Sequence, residues 1–128
     1  MTIEWSQVQY FSRDEFGYAG DVEPDARLVS MLDLARAKAT ERAGEDVPFV
    51  ISAGGGVRPK TGDSSRDSSA HVTGHAADIK VSGSRHRFFI LEALLFVGFQ
   101  RIGVYDRHIH VDISPNHEPC VVWTGVSQ

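Results

Sequence analysis

The chain contains six histidines, and four of them fall in two short clusters, residues 69–78 and 106–112. The second cluster reads Asp106-Arg107-His108-Ile109-His110-Val111-Asp112. In a β-strand successive side chains point to opposite faces, so His108, His110 and Asp112 share one face while Ile109, Val111 and Ile113 share the other. One face can join a core, and the other carries two imidazoles and a carboxylate, groups that bind metal or move protons. The first cluster adds His71 and Asp78. A catalytic zinc takes three protein ligands from His, Asp and Glu and keeps one position for water. His71, Asp78 and His110 make such a set. The step from His71 to Asp78 does not stack the two on adjacent helical turns. It suits a loop residue and a strand residue meeting across a turn at Gly74, and Ala76 and Ala77 are small enough to let backbone and metal approach closely. Two imidazoles with one carboxylate favour zinc over calcium or magnesium. Cys120 is the single cysteine, which excludes an internal disulfide and a multi-cysteine cluster.

These groups must be held by elements that the hydrophobic pattern outlines. Residues 24–43 read as a helix, with Pro24 in its first turn, Asp25 favourable to the dipole, Gly44 past its end, and a stripe of Leu28, Met31, Leu32 and Ala35. Residues 48–52 are rich in β-formers and read as a buried strand. Residues 54–69 have the composition of an exposed loop, placed to wall a site. Residues 76–81 resume a strand pattern. Residues 85–97 predict a second helix with Phe88, Leu91, Leu94 and Leu95 as its buried stripe, closed by Gly98. Three β-type stretches follow, at 102–105, 108–113 and 119–124. With no internal repeat and no steady strand–helix alternation, the expected class is α+β, two helices packed on a small, mainly antiparallel sheet.

Composition narrows the function classes. At 128 residues the chain suits a single domain, and 41% hydrophobic with 23% charged residues is the balance of a chain that folds around a core. Thirteen Lys and Arg against seventeen Asp and Glu give a net charge of −4, and the basic residues are dispersed, which argues against nucleic acid or an anionic membrane as partner. The longest apolar stretch, residues 88–99, contains Glu92 and is too short to span a membrane. The opening residues Met1 to Gln7 have neither a cationic segment nor a continuous apolar one, so no secretory signal is expected.

The run from Ser69 to Asp78 fits Ser-x-His-x-x-Gly-x-Ala-x-Asp. This resembles the signature of peptidase family M15, the zinc D,D-carboxypeptidases and L-alanyl-D-glutamate peptidases, whose fold is shared with the hedgehog signalling domain. Further segments are similar: Tyr10-Phe11-Ser12 with Glu15-Phe16, Val50-Ile51-Ser52 followed by Arg58, and the closing stretch from Phe99 to Trp123 with its His-Val-Asp. The likeness spans roughly residues 9–124. Short members occur as phage lysis enzymes or virion-associated wall hydrolases.

The resemblance implies that His71, Asp78 and His110 bind zinc, and that the chain hydrolyses an amide bond in bacterial peptidoglycan peptides. Many members place a carboxylate three residues before the last His; here that position is Arg107. The base is then expected to be His108, two residues and about 6–7 Å along the strand from His110, with Asp106 as the other candidate. Hedgehog-type members also end in His-x-His, so a catalytically weak or inactive zinc-stabilised binding or virion-structural module of the same fold is the rival expectation. Arg58 stands where members place an arginine that contacts substrate or the developing oxyanion, against the plainer reading of a solvated loop residue. Ser69 is expected to bind substrate or to orient its loop. Asp112 is expected either to accept a hydrogen bond from a ligand imidazole or to be a surface carboxylate. His75 belongs to the loop or a core edge, His86 and His117 face solvent, Cys120 is buried in the last strand, and Trp5 and Trp123 pack. Peptidoglycan is the expected partner and the monomer the expected state. The implied location is the host cytoplasm followed by release to the wall, or the virion.

Overall fold

A computed structural model describes residues 2–64 and 68–127. The order of elements is a 3₁₀ turn at Trp5–Gln7, helix α1 (Arg13–Phe16), helix α2 (Ala26–Ala43), strand β1 (Ala76–Lys80), helix α3 (Ser84–Phe96) and strands β2 (Arg101–Tyr105), β3 (His108–Asp112) and β4 (Val121–Gly125). The class is α+β, as expected. The sheet runs β1-β3-β2-β4, and its pairs β1–β3 and β3–β2 are antiparallel while β2–β4 is parallel. No helix among the described residues is long and apolar enough to cross a membrane.

Helix α2 begins where its chemistry dictates. The Asp25 carboxylate caps it, accepting the N–H groups of Arg27 at 2.8 Å and Leu28 at 3.3 Å, so Asp25 is the cap and Pro24 lies outside the first turn. Gly44 ends it in the left-handed conformation, φ 71°. Leu28, Leu32 and Ala35 are buried as the stripe requires, with Met31 half-buried beside them. Short α1 carries its own start signal, the Ser12 N–H donating to Glu15 Oε2 at 2.7 Å.

Two expected elements differ. Residues 48–52 do not form a strand but an edge segment that touches β1 through a single bridge, Ile51 to Ile79, with Ser52 N–H donating to Asp78 O and Lys80 N–H to Val50 O, both at 2.8 Å. In α3 the buried arc is Ile90, Ala93 and Leu94, while Phe88 and Leu95 are 57% and 58% exposed. Apolar residues run almost all round this helix, so spacing alone does not single out the core face. Cys120 is also exposed, at φ 62° just before β4, where the turn into the parallel strand holds it out of the core.

The sheet divides cleanly. Ala77, Ile79, Ile102, Ile109 and Val111 are buried in the core with α2 and α3, and the alternating residues of β1 and β3 face the other way. The loop over residues 54–69, of which 65–67 lie outside the described residues, is exposed along most of its length but not at its start. Gly55 and Gly56 are buried there, and a Cβ at Gly56 would lie 2.0 Å from Phe16 O. Gly74 is similarly confined. Its φ is +79°, and a Cβ on it would come within 2.3 Å of Glu23 O, beside the point where Asp25 N–H donates to Gly74 O at 2.7 Å. The turn bearing the first histidine is therefore clamped to the start of α2. Gly74→Ala is expected to cost about 2–4 kcal/mol in chemical denaturation, and Gly83→Ala, with extended backbone and open space, less than about 1 kcal/mol.

Candidate metal centre

His71 sits in the turn before β1, Asp78 in the middle of β1, and His110 opposite it in β3, where the register pairs Asp78 with His110. Their potential donor atoms all lie within 4.8 Å of one another, forming a group that can hold a metal ion. Asp78 Oδ1 is 3.4 Å from His71 Nε2 and 3.0 Å from His110 Nδ1. The two rings meet edge to face with centroids 5.1 Å apart.

Each donor is oriented by a partner on its far side. His71 Nδ1 is 2.9 Å from Gly56 O and donates to it, leaving Nε2 toward Asp78. This explains the run of glycines before Arg58: a Cβ at Gly55 would lie 3.0 Å from Asp78 Cβ and 2.9 Å from Ser52 O, so only bare backbone can pass under the site and offer its carbonyl. Arg58 Nη2 donates to Asp78 Oδ2 at 3.0 Å and its Nε to Gly54 O at 2.7 Å. Arg58 thus fixes Asp78, besides lining the cleft. On the far side of His110, Nε2 donates to Asp112 Oδ2 at 2.7 Å. Asp112 is buried rather than on the surface, and its Oδ1 accepts from Arg101 Nε at 2.7 Å and Ser114 N at 3.1 Å.

His108 lies on the same face, stacked on Tyr105 with centroids 4.3 Å apart and 10° between planes. Its Nδ1 is 2.7 Å from Ser127 Oγ, and Ser127 N–H donates to Asp106 Oδ1 at 2.6 Å. Asp106 is therefore not a second group aimed at the site. It does not line the cleft and reaches His108 only through Ser127. Ser69 does not line the cleft either; its Oγ accepts the His71 N–H at 3.2 Å, the loop-orienting role of the two expected. Trp5 packs on Phe16, but Trp123 does more than pack: its ring lies 5.5 Å from His110 and its Nε1 donates to Tyr105 Oη at 3.0 Å. His75 sits at the core edge beside Thr73 and Asp25, His117 faces solvent, and His86 is half-buried, held by Ser82 and Pro48 O.

The donors form the floor of an open cleft of about 770 Å³ whose walls include Ser52, Lys80, Tyr105, Arg107 and Val126. Sequence reasoning missed Lys80, Tyr105 and Ser127. Lys80 was legible as the residue two beyond Asp78 on the same strand face, whereas Ser127 meets His108 only through the parallel return of β4. Comparison with family models, curated proteins and solved structures returns no match.

Electrostatics make the cluster interdependent. Burial opposes ionisation of Asp78, but hydrogen bonds from His110 and His71 outweigh it and hold the carboxyl well below the usual range. Asp112 follows the same pattern, burial being outweighed by His110, Ser114 N–H and the charge of Arg101. Burial disfavours the charged form of His110, yet the bonds to Asp112 and Asp78 raise its pKa. The two lowered carboxyls contribute stability that is present above about pH 4 and lost as pH falls through their folded values; the raised imidazole contributes stability that is full below about pH 6.5 and lost as pH rises through its folded value. Metal-free protein should therefore be most stable between about pH 4 and 6.5. Urea denaturation across pH 3–9 checks this, and Asp78→Asn should flatten the acid limb.

Proposed function

We propose that the chain is a zinc-dependent hydrolase of amide bonds in bacterial peptidoglycan peptides, of the carboxypeptidase or endolysin type. The observation that carries the reading is the convergence of one ligand atom each from His71, Asp78 and His110 within 4.8 Å at the floor of a cleft. The donor set fits zinc: two imidazoles and one carboxylate, each locked from behind by Gly56 O, Arg58 or Asp112, with open space on the remaining side. The Ser69 to Asp78 pattern and its likeness to the M15 peptidases supply the substrate class.

When bound, zinc supplies Lewis acidity, polarising a carbonyl and bringing the pKa of a coordinated water toward ~7. The protein's own groups do the rest. His110 is held by Asp112 with its Nδ1 toward Asp78, and Arg58 keeps the second Asp78 oxygen occupied. His108, oriented at Nδ1 by Ser127, has its other ring nitrogen available to take a proton from the attacking water and return it to the departing amine. Tyr105 stacks on the ring and limits its rotation. A soluble route through the host cytoplasm to the wall, or carriage in a virion, belongs to the same reading.

A second reading rests on one observation. Arg107 occupies the position three residues before His110 where a carboxylate is common in the M15 peptidases, and the nearby Asp106 is committed to Ser127. A zinc-stabilised binding module of the same fold would tolerate that change.

Purified protein with peptidoglycan should release new amino termini, and a chelator should stop the release; no release with zinc loaded sinks the hydrolase reading and favours the module. His108→Ala should keep zinc content and reduce release by at least about 100-fold; undiminished release removes His108 from the base role. Asp112→Asn should weaken zinc affinity about 10–100-fold, read by competition with a chromogenic chelator. Zinc uptake near neutral pH should also release protons, seen in titration calorimetry as a dependence on buffer ionisation heat, because the metal displaces the proton that His110 Nδ1 shares with Asp78.

A further inference from the structure

We propose that Lys80 and Arg107 form a carboxylate-binding subsite at one end of the cleft, selecting ligands with an anionic group about two residues from the bond held over the three donors. The inference deepens the hydrolase reading and rests on it for the identity of that bond.

The charge distribution points there. The chain as a whole carries −4, yet the cleft is lined by three cations, Arg58, Lys80 and Arg107, against a single carboxylate, Asp78. Arg58 is spent on that carboxylate at 3.0 Å. Lys80 is not engaged in this way, and Arg107 makes only a long, exposed pair with Asp106. Lys80 follows Asp78 by two residues in β1 and so projects from the same face, and its register partner is His108. No ion pair to Lys80 occurs among the described residues. The Arg107 side chain is 78% exposed, and its pair with Asp106, Nε to Oδ2 at 3.7 Å, is long and solvent-screened, so a ligand carboxylate can compete for the guanidinium. The two cations are brought to one place by the backbone, since Val81 N–H donates to Arg107 O at 2.9 Å where the β1 and β3 ends meet.

Spacing sets the ligand. Two strand residues from Asp78 to Lys80 span about 6–7 Å, the rise of two residues of an extended peptide, so a peptide lying over the donors would bring a carboxylate to Lys80 from the second residue along. That carboxylate can be an acidic side chain or a free chain terminus. A flexible ammonium beside an exposed guanidinium suits either, each supplying charge-assisted hydrogen bonds.

The test uses two probe pairs: acetyl-Ala-Glu-amide against acetyl-Ala-Gln-amide for the side chain, and acetyl-Ala-Ala against its C-terminal amide for the terminus. Binding is followed by NMR shift perturbation, with and without added zinc, on wild type, Lys80→Met, Lys80→Arg and Arg107→Gln. Wild type should bind the acid of at least one pair about tenfold more tightly than its amide. Lys80→Met should shrink the preference to about twofold or less, Lys80→Arg should restore it, and Arg107→Gln should reduce it in part. The pair that shows the preference identifies the source of the carboxylate. Equal binding of acid and amide, undetectable binding of both acids, or a preference that survives Lys80→Met overturns the subsite and leaves Lys80 a solvated strand-end cation. Wall digestion separates the two readings: acid preference without released amino termini keeps the subsite and loses the hydrolase, and digestion without acid preference does the reverse.

Discussion

One carboxylate organises this protein. Asp78 is buried at the floor of the cleft, with an imidazole on either side of one oxygen and a guanidinium on the other. An isolated charge there would be costly, so its ionised form persists only because three donors surround it. The three donors come from a loop, a turn and a facing strand. The carboxylate therefore adds one shared tie among three groups that each have a separate anchor, Gly54 O for Arg58, Gly56 O for His71 and Asp112 for His110.

The rest of the fold can be understood as support for that cluster. Helix α2 does not touch the donors, yet the clamp between Asp25 N–H and Gly74 O fixes the turn that carries His71. The glycine-rich entry to the loop is not slack. It is where backbone passes close enough to Phe16 and Asp78 to leave no room for a side chain, and its carbonyl selects which nitrogen of His71 faces inward. Behind His110 the chain of Asp112 and Arg101 extends the same ordering into the sheet. Such backing is how a protein holds ligating groups in place before any ion arrives.

The three donors were legible in the sequence because each carries a local signal. Strand alternation separates His108, His110 and Asp112 from Ile109 and Val111, and Gly74 marks the turn that brings His71 back toward Asp78. The class was legible for similar reasons, since α2 has a narrow apolar stripe and clear caps. What failed was what local pattern cannot carry. The apolar surface of α3 is nearly continuous, so its true buried arc, Ile90, Ala93 and Leu94, depends on how it meets α2 and the sheet. The strand pattern at 48–52 is real, but only one bridge forms. Short α1 carries its signal in the Ser12–Glu15 capping box, a pattern too brief to stand out from a turn. Ser127 reaches His108 only because β4 runs parallel to β2, and a parallel partner leaves no mark on the residues of either strand.

The antiparallel pairing of β1 with β3 has a consequence for folding fidelity. Its register sets Asp78 against His110 and Ile79 against Ile109. A slip of one residue would turn the whole of β3 over, driving two imidazoles and a carboxylate into the hydrocarbon interior while exposing Ile109 and Val111 to water. The mistake is thus penalised on both sides of the sheet at once. An ion that can be chelated solely in the correct alignment would act as a proofreader, drawing the population of misaligned strand pairings toward the single arrangement that captures it.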